Sequence, residues 1–139
     1  PPGTCSTISK KFYKVQTLED NFLGYCYDLT GSGLWGTMKA LLAVTPDYQK
    51  IINFMIYEQM ETPGLGSRVE EDWFKQQFSG KPLITESGVP EFTLVPEETE
   101  INALQVRQIT GATITSSSVL KIIRDAAAQL EQNVELQEQ

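Results

Sequence analysis

The C-terminal part of the chain carries the pattern that most restricts its fold, an apolar repeat with spacings of three and four. The repeat consists of Val119, Ile122, Ile123, Ala126, Leu130 and Val134, and polar residues lie between its members. Since 3.6 residues make one helical turn, this spacing places the apolar side chains on one face of a helix. Such a face must be buried, so the rest of the chain has to supply an apolar surface opposite it.

Four earlier segments have the composition of β-strands that could form this surface. Residues 12–17 and 22–29 are rich in aromatic and β-branched residues, and residues 37–44 and 51–58 flank the turn signal Pro46-Asp47. The second pair is therefore predicted to form an antiparallel hairpin. In its second strand, the alternation predicts that Ile52, Phe54 and Ile56 share one face. The first nine residues have the composition of a loop.

The middle of the chain contains weaker signals. Ser67 and Glu70 have the spacing of a capping box, which predicts a short helix over residues 68–78 that ends before Gly80. Val69, Trp73 and Phe74 are expected to face inward from this helix. A loop over residues 80–90 and short strands over residues 92–95 and 106–109 follow. The fold class is therefore α+β: a single domain over residues 1–139, with a mostly antiparallel sheet, a short middle helix and a long C-terminal helix.

Composition excludes several kinds of site. The chain has no histidine, so it can form neither a Ser-His-Asp triad nor a zinc site with histidine ligands. Its two cysteines, Cys5 and Cys26, are too few for a thiolate metal cluster, and one disulfide or two free thiols both remain open. Any redox chemistry is therefore expected to come from a bound cofactor.

Charge and hydropathy bear on the partners. The net charge of -7 argues against nucleic acid as a partner, because an acidic chain repels phosphate backbones. No apolar run approaches the roughly 20 residues that span a bilayer, so residues 1–139 are expected to be soluble. Because the chain begins at Pro1 rather than at methionine, an upstream piece is expected to have been removed.

Residues 109–118 combine a short strand, a glycine and a run of hydroxyl side chains. The hydroxyls belong to Thr113, Thr115, Ser116, Ser117 and Ser118. The N–H groups and the dipole of a helix N-terminus favour an anion, and hydroxyls can donate to phosphate oxygens. Gly111 and Ala112 would let a ligand approach the backbone closely. The segment therefore indicates a phosphate site, and simple N-capping by Thr115 or Ser116 is the alternative.

Two other loops have compositions suited to a flat ligand. Residues 61–66 contain two glycines and a proline beside Glu61 and Thr62, and the N–H groups of residues 64–66 could face the polar edge of a ring. A plain strand-to-helix turn is the alternative. In residues 33–36, Trp35 lies next to a leucine and between two glycines, which suits a wall for a ring. A core position for this tryptophan is the competing interpretation.

Taken in chain order, these segments resemble the FMN-binding domain family. The matching motifs are residues 33–36 (GLWG), 61–66 (ETPGLG), 77–81 (QFSGK) and 110–116 (TGATITS). Each motif alone is weak, but four in order at domain-like separations are specific. The resemblance runs from about Gly24 to the C-terminal helix. The family's best-known members are the G subunit of the Rnf electron-transport complex and the C subunit of the sodium-translocating NADH:quinone oxidoreductase.

The resemblance implies an electron carrier that holds FMN. In that family, a flavin transferase esterifies the FMN phosphate to the last threonine of a Ser/Thr-Gly-Ala-Thr motif, which is Thr113 in this sequence. The implied partners are the other membrane subunits of a redox complex. The implied location is the extracytoplasmic, periplasmic face of the cytoplasmic membrane. Membrane association is expected only through an N-terminal helix that residues 1–139 lack.

The resemblance also implies which residues surround the flavin. Besides Thr113, the expected FMN-binding residues are Leu34, Trp35, Gly36, Glu61, Thr62, Gly64, Leu65, Gly66, Thr110, Gly111, Ala112, Ile114 and Thr115. Thr115 is the second candidate for attachment. Lys81 and Arg68 are the basic candidates near the phosphate, and Leu34 and Leu65 are expected to form an apolar rim for electron-transfer partners.

One residue departs from the family pattern. The family usually carries an aspartate three residues before the Ser/Thr of the attachment motif, and this chain has Arg107 there. This change puts recognition by the transferase in doubt, more than it does flavin binding. Three other interpretations therefore stay open: a sensor module that binds FMN non-covalently, the FMN domain of a larger reductase, and an interaction domain with vestigial motifs.

Overall fold

In the computed structural model, which describes residues 3–9, 12–19 and 21–137, five strands form one antiparallel sheet in chain order. The strands are β1 (Gly3–Ser9), β2 (Phe12–Thr17), β3 (Phe22–Ser32), β4 (Thr37–Val44) and β5 (Ile51–Glu58). Every neighbouring pair of strands is antiparallel. This arrangement confirms the predicted class, a mostly antiparallel sheet.

Strand β4, which lies between β3 and β5, shows why the sheet forms. Its residues alternate between buried and partly buried, and Met38, Ala40, Leu42 and Val44 all point to one face. Across the register, Leu42 lies between Tyr27 of β3 and Phe54 of β5. Alternation with period two therefore builds an apolar face over neighbouring strands, as a half-buried sheet requires.

Helices cover this apolar face of the sheet. A 3-10 helix (Gly66–Glu70) and α1 (Asp72–Gln76) follow β5, and the long helix α2 (Thr113–Gln137) lies against β3. The helices contribute buried apolar residues to the same core, namely Val69, Phe74, Val119, Ile122, Ile123, Ala126, Ala127 and Leu130, together with Phe78 from the turn after α1. The inward face predicted for the C-terminal helix is confirmed over these residues, and Val134 lies outside the described side chains.

A second, two-stranded sheet connects α1 to α2. Its strands are β6 (Thr93–Val95) and β7 (Gln105–Arg107), and they pair in parallel. Val106 of β7 and Ile109 just after it are fully buried. These two side chains fix the chain against the core shortly before α2 begins. Both short strands were predicted, but their parallel pairing was not.

Two predictions about strands are wrong. The first nine residues are not a loop, because Gly3–Ser9 forms β1 and pairs with β2. Backbone hydrogen bonding to a neighbouring strand here outweighs the weak strand signal of the segment. In β5, Ile51 is buried and Ile52 is exposed. A register shift between Ala43 and Val44 of β4 turns Ile52 away from Phe54 and Ile56.

The middle helix also differs from its prediction. Residues 68–78 do not form one helix but a 3-10 helix, a short α-helix and a turn that contains Gly80. The capping box is absent, because the 3-10 helix begins after Leu65 and has no side-chain cap. The hydroxyl of Ser67 instead accepts a hydrogen bond from the N–H of Gly64.

Cys5 lies in β1 and Cys26 in β3, with β2 between them. The side chain of Cys5 lies outside the described side chains, and with it the choice between one disulfide and two free thiols. Over the described residues, no helix combines the length and hydropathy of a membrane span, and no cluster of acidic and cysteine side chains suits a metal ion.

Candidate functional site

A tight turn between β3 and β4 presents Leu34 and Trp35 at the surface. The N–H of Gly33 donates to the carbonyl oxygen of Gly36 at 2.8 Å, which closes the turn. Both central side chains are exposed, and Trp35 retains 67% of its accessible surface. The interpretation of Trp35 as a core residue is therefore wrong. Exposed tryptophan is unusual in a soluble domain and indicates a surface that meets a ligand or partner.

The carboxylate of Glu61 accepts hydrogen bonds from the backbone of this turn. Its Oε1 accepts the N–H of Leu34 at 2.7 Å, and its Oε2 accepts the N–H of Trp35 at 2.9 Å. Oε1 also accepts the hydroxyl of Thr115 at 2.8 Å. One buried side chain, only 5% exposed, thus joins the β3–β4 turn to the first turn of α2. The sequence placed Glu61 at the flavin site, and the structure shows that its carboxylate is engaged by protein groups.

The same contacts set the ionisation of Glu61. Burial raises the pKa of this carboxyl, but the hydrogen bonds from Trp35, Leu34 and Thr115 together outweigh burial and lower the pKa below its ordinary value. Glu61 therefore stays ionised at neutral pH. A charged acceptor makes stronger hydrogen bonds than a neutral one, which helps to fix the turn.

Two glycines make room for this carboxylate. A Cβ atom on Gly33 would lie 2.6 Å from Oε1 of Glu61. A Cβ atom on Gly66 would lie 2.7 Å from Cβ of Glu61 and 2.8 Å from the hydroxyl oxygen of Thr115. These distances are below van der Waals contact, so neither position accepts a side chain without movement. Gly33 was not among the predicted site residues, although the other three residues of the GLWG motif were.

Residues 61–66 form a turn whose N–H groups are partly used within it. The N–H of Leu65 donates to the carbonyl of Thr62 at 3.1 Å, and the N–H of Gly64 donates to Ser67. The expectation that the N–H groups of residues 64–66 face a ligand is therefore wrong for Gly64 and Leu65. The turn exposes the side chain of Leu65 to solvent. Gly64, at a φ of +76°, allows the sharp bend.

The hydroxyl-rich segment is the first turn of α2 itself. The helix begins at Thr113, which is exposed, and Gly111 two residues earlier has a φ of +77°. Ser116 is buried; its hydroxyl donates to the carbonyl of Ala112 at 2.9 Å and accepts the N–H of Ile109 at 3.0 Å. N-capping by Thr115 or Ser116, the alternative for this segment, is therefore wrong, since both residues lie inside the helix.

The two candidate threonines differ in access. Thr115 is 2% exposed and its hydroxyl donates to Glu61. Thr113 is exposed and lies at the helix N-terminus, where the backbone N–H groups have no acceptor within the helix. A reagent or ligand phosphate can therefore reach the hydroxyl of Thr113 far more readily than that of Thr115.

Five large apolar side chains on these segments are exposed. The apolar cluster consists of Leu34, Trp35, Met60, Leu65 and Ile114, all of them large and exposed. A Cβ atom added to Gly111 would lie 3.2 Å from Cδ2 of Leu65, so Leu65 lies beside Gly111. A Cβ atom added to Gly36 would lie 3.2 Å from Sδ of Met60, so Met60 lies beside Gly36. Met60 was not predicted, although its position next to Glu61 in the sequence could have suggested it.

The remaining predicted residues lie at the edge of this site. Thr110 donates to Oε1 of Glu97 through both its N–H and its hydroxyl, at 3.2 and 3.3 Å. Glu97 also accepts Arg68 at 2.9 Å. Arg68 is therefore linked to the attachment segment through Glu97, with its charge balanced by carboxylates. Lys81 is buried, and burial together with the positive charge of Arg107 lowers the pKa of this lysine.

The fold and these motifs define a family. The model of the FMN-binding domain family matches residues 33–128, which contain the turn, the 61–66 loop and the start of α2. The chain therefore belongs to the FMN-binding domain family, and the prediction of FMN as its cofactor is confirmed.

Two sequence relatives support the same family assignment. The G subunit of a proton-translocating ferredoxin:NAD+ oxidoreductase complex from Clostridium ljungdahlii is 34% identical over 128 residues, which covers 86% of this chain and 64% of that protein. The C subunit of a Na+-translocating NADH-quinone reductase from Vibrio vulnificus is 39% identical over 90 residues, covering 64% of this chain and 35% of that protein. The chain thus spans about two thirds of one relative and about one third of the other.

Solved structures agree on the fold. A crystal structure of NqrC from Shewanella oneidensis superposes with a TM-score of 0.72 at 24% identity and covers 87% of this chain and 62% of that one. The C subunit of a Na+-translocating NADH-quinone reductase from Parabacteroides distasonis gives a TM-score of 0.70 at 26% identity, over 82% of this chain and 57% of that one. Both confirm the α+β fold.

Proposed function

We propose that this chain is the FMN-carrying electron-transfer domain of a membrane-bound, ion-translocating oxidoreductase, with the flavin esterified through its phosphate to Thr113. The two sequence relatives support the assignment to such complexes. The observation that carries the proposal is the position of Thr113: an exposed hydroxyl at the start of α2, beside the apolar cluster.

The residues present suit both ends of FMN. A phosphate fits the start of α2, because a helix N-terminus favours an anion and Gly111 carries no side chain to obstruct it. A flat apolar ring fits the exposed side chains of the apolar cluster, which have no protein neighbour to cover them fully. Glu61 links the two parts, because its carboxylate accepts the N–H groups of Leu34 and Trp35 and the hydroxyl of Thr115.

The chain's own residues then have separate tasks. FMN supplies the transfer of one or two electrons. Glu61 fixes the N–H groups of Leu34 and Trp35 and the hydroxyl of Thr115, so the two walls of the site keep one relative position. Because the apolar cluster is open to solvent, one edge of a bound ring stays accessible to a redox partner. The rigid turn limits reorganisation when the charge of the cofactor changes.

The partners and the location belong to the same proposal. The other subunits of the redox complex give and take electrons, and a flavin transferase forms the bond to Thr113. The domain works at the extracytoplasmic face of the cytoplasmic membrane. The relatives are named as subunits of ion-translocating complexes, which supports other subunits as partners.

Mass spectrometry tests the attachment directly. The chain is co-expressed with a flavin transferase, exported, and analysed by intact mass and in-gel flavin fluorescence. We expect an adduct with the mass of FMN minus water, because a phosphoester forms with loss of water. Thr113→Ala should remove the adduct and Thr113→Ser should keep part of it. Thr115→Ser is the matched control and should leave the adduct in place.

The outcomes separate the alternatives. An adduct that persists in Thr113→Ala moves the attachment site elsewhere in the chain. Tight but dialysable FMN without an adduct favours a module that binds the flavin non-covalently, in keeping with Arg107 in the position where the family has an acid. Absence of FMN binding at excess flavin overturns the proposal as a whole.

A further inference from the structure

The chain turns sharply between β7 and α2, and Thr110 and Gly111 form the exposed corner of this turn. Ile109, just before the corner, is fully buried. The N–H of Ala112, just after it, donates to the carbonyl of Ile109 at 3.0 Å and closes the turn. Gly111 has a φ of +77°, which allows the reversal. Because Thr113 begins α2 two residues after Gly111, its position depends on how this corner is held.

Glu97 holds the corner from another part of the chain. Its Oε1 accepts the N–H of Thr110 at 3.2 Å and the hydroxyl of the same residue at 3.3 Å. Glu97 follows β6 and lies in a turn that closes where the N–H of Thr99 donates to the carbonyl of Pro96 at 3.1 Å. The two bonds to Thr110 therefore tie the start of α2 to the connection between β6 and β7.

Arg68 fixes the carboxylate of Glu97 in turn. Its Nη1 donates to Oε1 at 2.9 Å, and its Nη2 donates to Oε2 at 3.3 Å. A two-pronged contact of this kind sets the plane of a carboxylate, which a single hydrogen bond does not. Arg68 belongs to the 3-10 helix that follows the loop of residues 61–66. Glu97 thus stands between two segments of the candidate site and is oriented by one toward the other.

The charges of this arrangement suit a neighbouring anion. The hydrogen bond from Arg68, and after it the one from the N–H of Thr110, hold the pKa of Glu97 below its ordinary value. Glu97 is therefore ionised at neutral pH. A carboxylate alone beside the start of α2 would repel a phosphate, and the guanidinium of Arg68 offsets this repulsion.

We propose that Glu97 is a positioning residue for the phosphate of FMN. By holding Thr110 it fixes the corner, so that the N–H groups at the start of α2 and the hydroxyl of Thr113 face the phosphate together. Glu97 itself does not contact the phosphate, because two anions repel each other. The inference rests on the proposed function in placing the phosphate at the start of α2, and it applies to a bound phosphate as well as to an esterified one.

Position and charge predict opposite results for substitutions of Glu97. Glu97→Ala and Glu97→Gln both remove the negative charge, but only glutamine keeps a side-chain oxygen that can accept from Thr110. If the charge alone acted on the phosphate, both variants would bind FMN equally well and more tightly than the parent. If position acts, the affinity for FMN falls from the parent to Glu97→Gln and again to Glu97→Ala.

The test compares FMN with riboflavin, which lacks the phosphate. Each flavin is titrated with the chain made without a transferase, and its fluorescence is followed. We expect Glu97→Ala to weaken FMN binding about tenfold and Glu97→Gln about threefold, because a hydrogen bond to a charged group is lost or replaced by a weaker one. Riboflavin should bind all three proteins equally. Glu98→Ala, which makes the same charge change at the exposed neighbouring residue, is the matched control and should bind FMN as the parent does.

Equal affinities of Glu97→Ala and Glu97→Gln for FMN overturn the proposal, as does an equal loss of affinity for FMN and riboflavin. A parent that binds FMN no more tightly than riboflavin overturns it as well, since there is then no phosphate site to position. If Glu97→Ala does not fold, the isosteric Glu97→Gln decides, and an FMN affinity at or above that of the parent is the contrary result. A parent without a covalent adduct removes the ester to Thr113, but the comparison of FMN with riboflavin still decides the role of Glu97.

Discussion

The hydroxyl of Thr115 donates to the carboxylate of Glu61 at 2.8 Å, although 54 positions separate the two residues in the sequence. This bond joins the first turn of α2 to the end of the sheet. The same carboxylate holds the N–H groups of Leu34 and Trp35. The two walls of the candidate flavin site therefore depend on one ionised side chain, and substitutions at and around it should have distinct effects.

Replacing Glu61 by glutamine should destabilise the protein and weaken FMN binding together. The amide cannot accept all three hydrogen bonds, because its nitrogen is itself a donor. We expect a loss of about 2 kcal/mol in the free energy of unfolding, measured by urea denaturation. Glu58→Gln is the matched control. It removes an exposed carboxylate paired with Lys39 and should cost less than about 0.5 kcal/mol. Equal costs for the two variants would contradict the role given to Glu61.

The contribution of Glu61 should depend on pH. The folded-state pKa of Glu61 is lowered, so its stabilising effect is fully present above the pKa of the unfolded chain and is lost as the pH falls through the lower, folded value. Below the ordinary glutamate pKa of about 4.3, the parent should therefore lose stability faster than Glu61→Gln. Urea denaturation at a series of pH values measures the difference. Parallel curves for the two proteins down to strong acid would show that the Glu61 pKa is not lowered.

The two glycines of residues 64–66 should respond differently to substitution. Gly66→Ala should cost about 2 kcal/mol of unfolding free energy, because its Cβ would collide with Glu61 and Thr115. Gly64 has open space around it but a φ of +76°, so Gly64→Asn should be tolerated better than Gly64→Ala. Gly66→Asn should be no more stable than Gly66→Ala, because its Cβ atom meets the same collision. Thermal unfolding of the four variants checks the pattern, and a Gly66→Ala as stable as the parent would argue against the steric explanation.

Trp35→Ala should separate binding from folding. Because Trp35 is largely exposed, its removal should change the free energy of unfolding by less than about 0.5 kcal/mol. Loss of an aromatic contact with the flavin should weaken FMN binding about tenfold. Titration of FMN fluorescence into chain made without the transferase measures this. Leu18→Ala is the control, since Leu18 is equally exposed but lies in the turn at the opposite end of β3. An unchanged FMN affinity in Trp35→Ala would remove this residue from the site.

Much of the fold followed from local patterns. The spacing of Val119, Ile123 and Leu130 predicts α2, because it reports the local geometry of a buried face. Strand composition on both sides of the turn signal Pro46-Asp47 predicts β4 and β5. β1 was missed because an outer strand is stabilised by pairing with β2 rather than by its own composition. The prediction of a capping box was wrong because the hydroxyl of Ser67 accepts the N–H of Gly64 instead of capping a helix.

The sequence by itself determined the family, the apolar faces and the segments that meet at the site, because these depend on residue type and spacing. Only the tertiary structure decided which atoms form hydrogen bonds and which side chains are exposed. It made Glu61 the acceptor that joins the β3–β4 turn to the start of α2, and it buried Thr115 while leaving Thr113 exposed. It also set the guanidinium of Arg107 over the ring of Trp73. Hydrogen bonds and charge pairs between distant residues depend on how the elements pack, and that information is not contained in any local pattern.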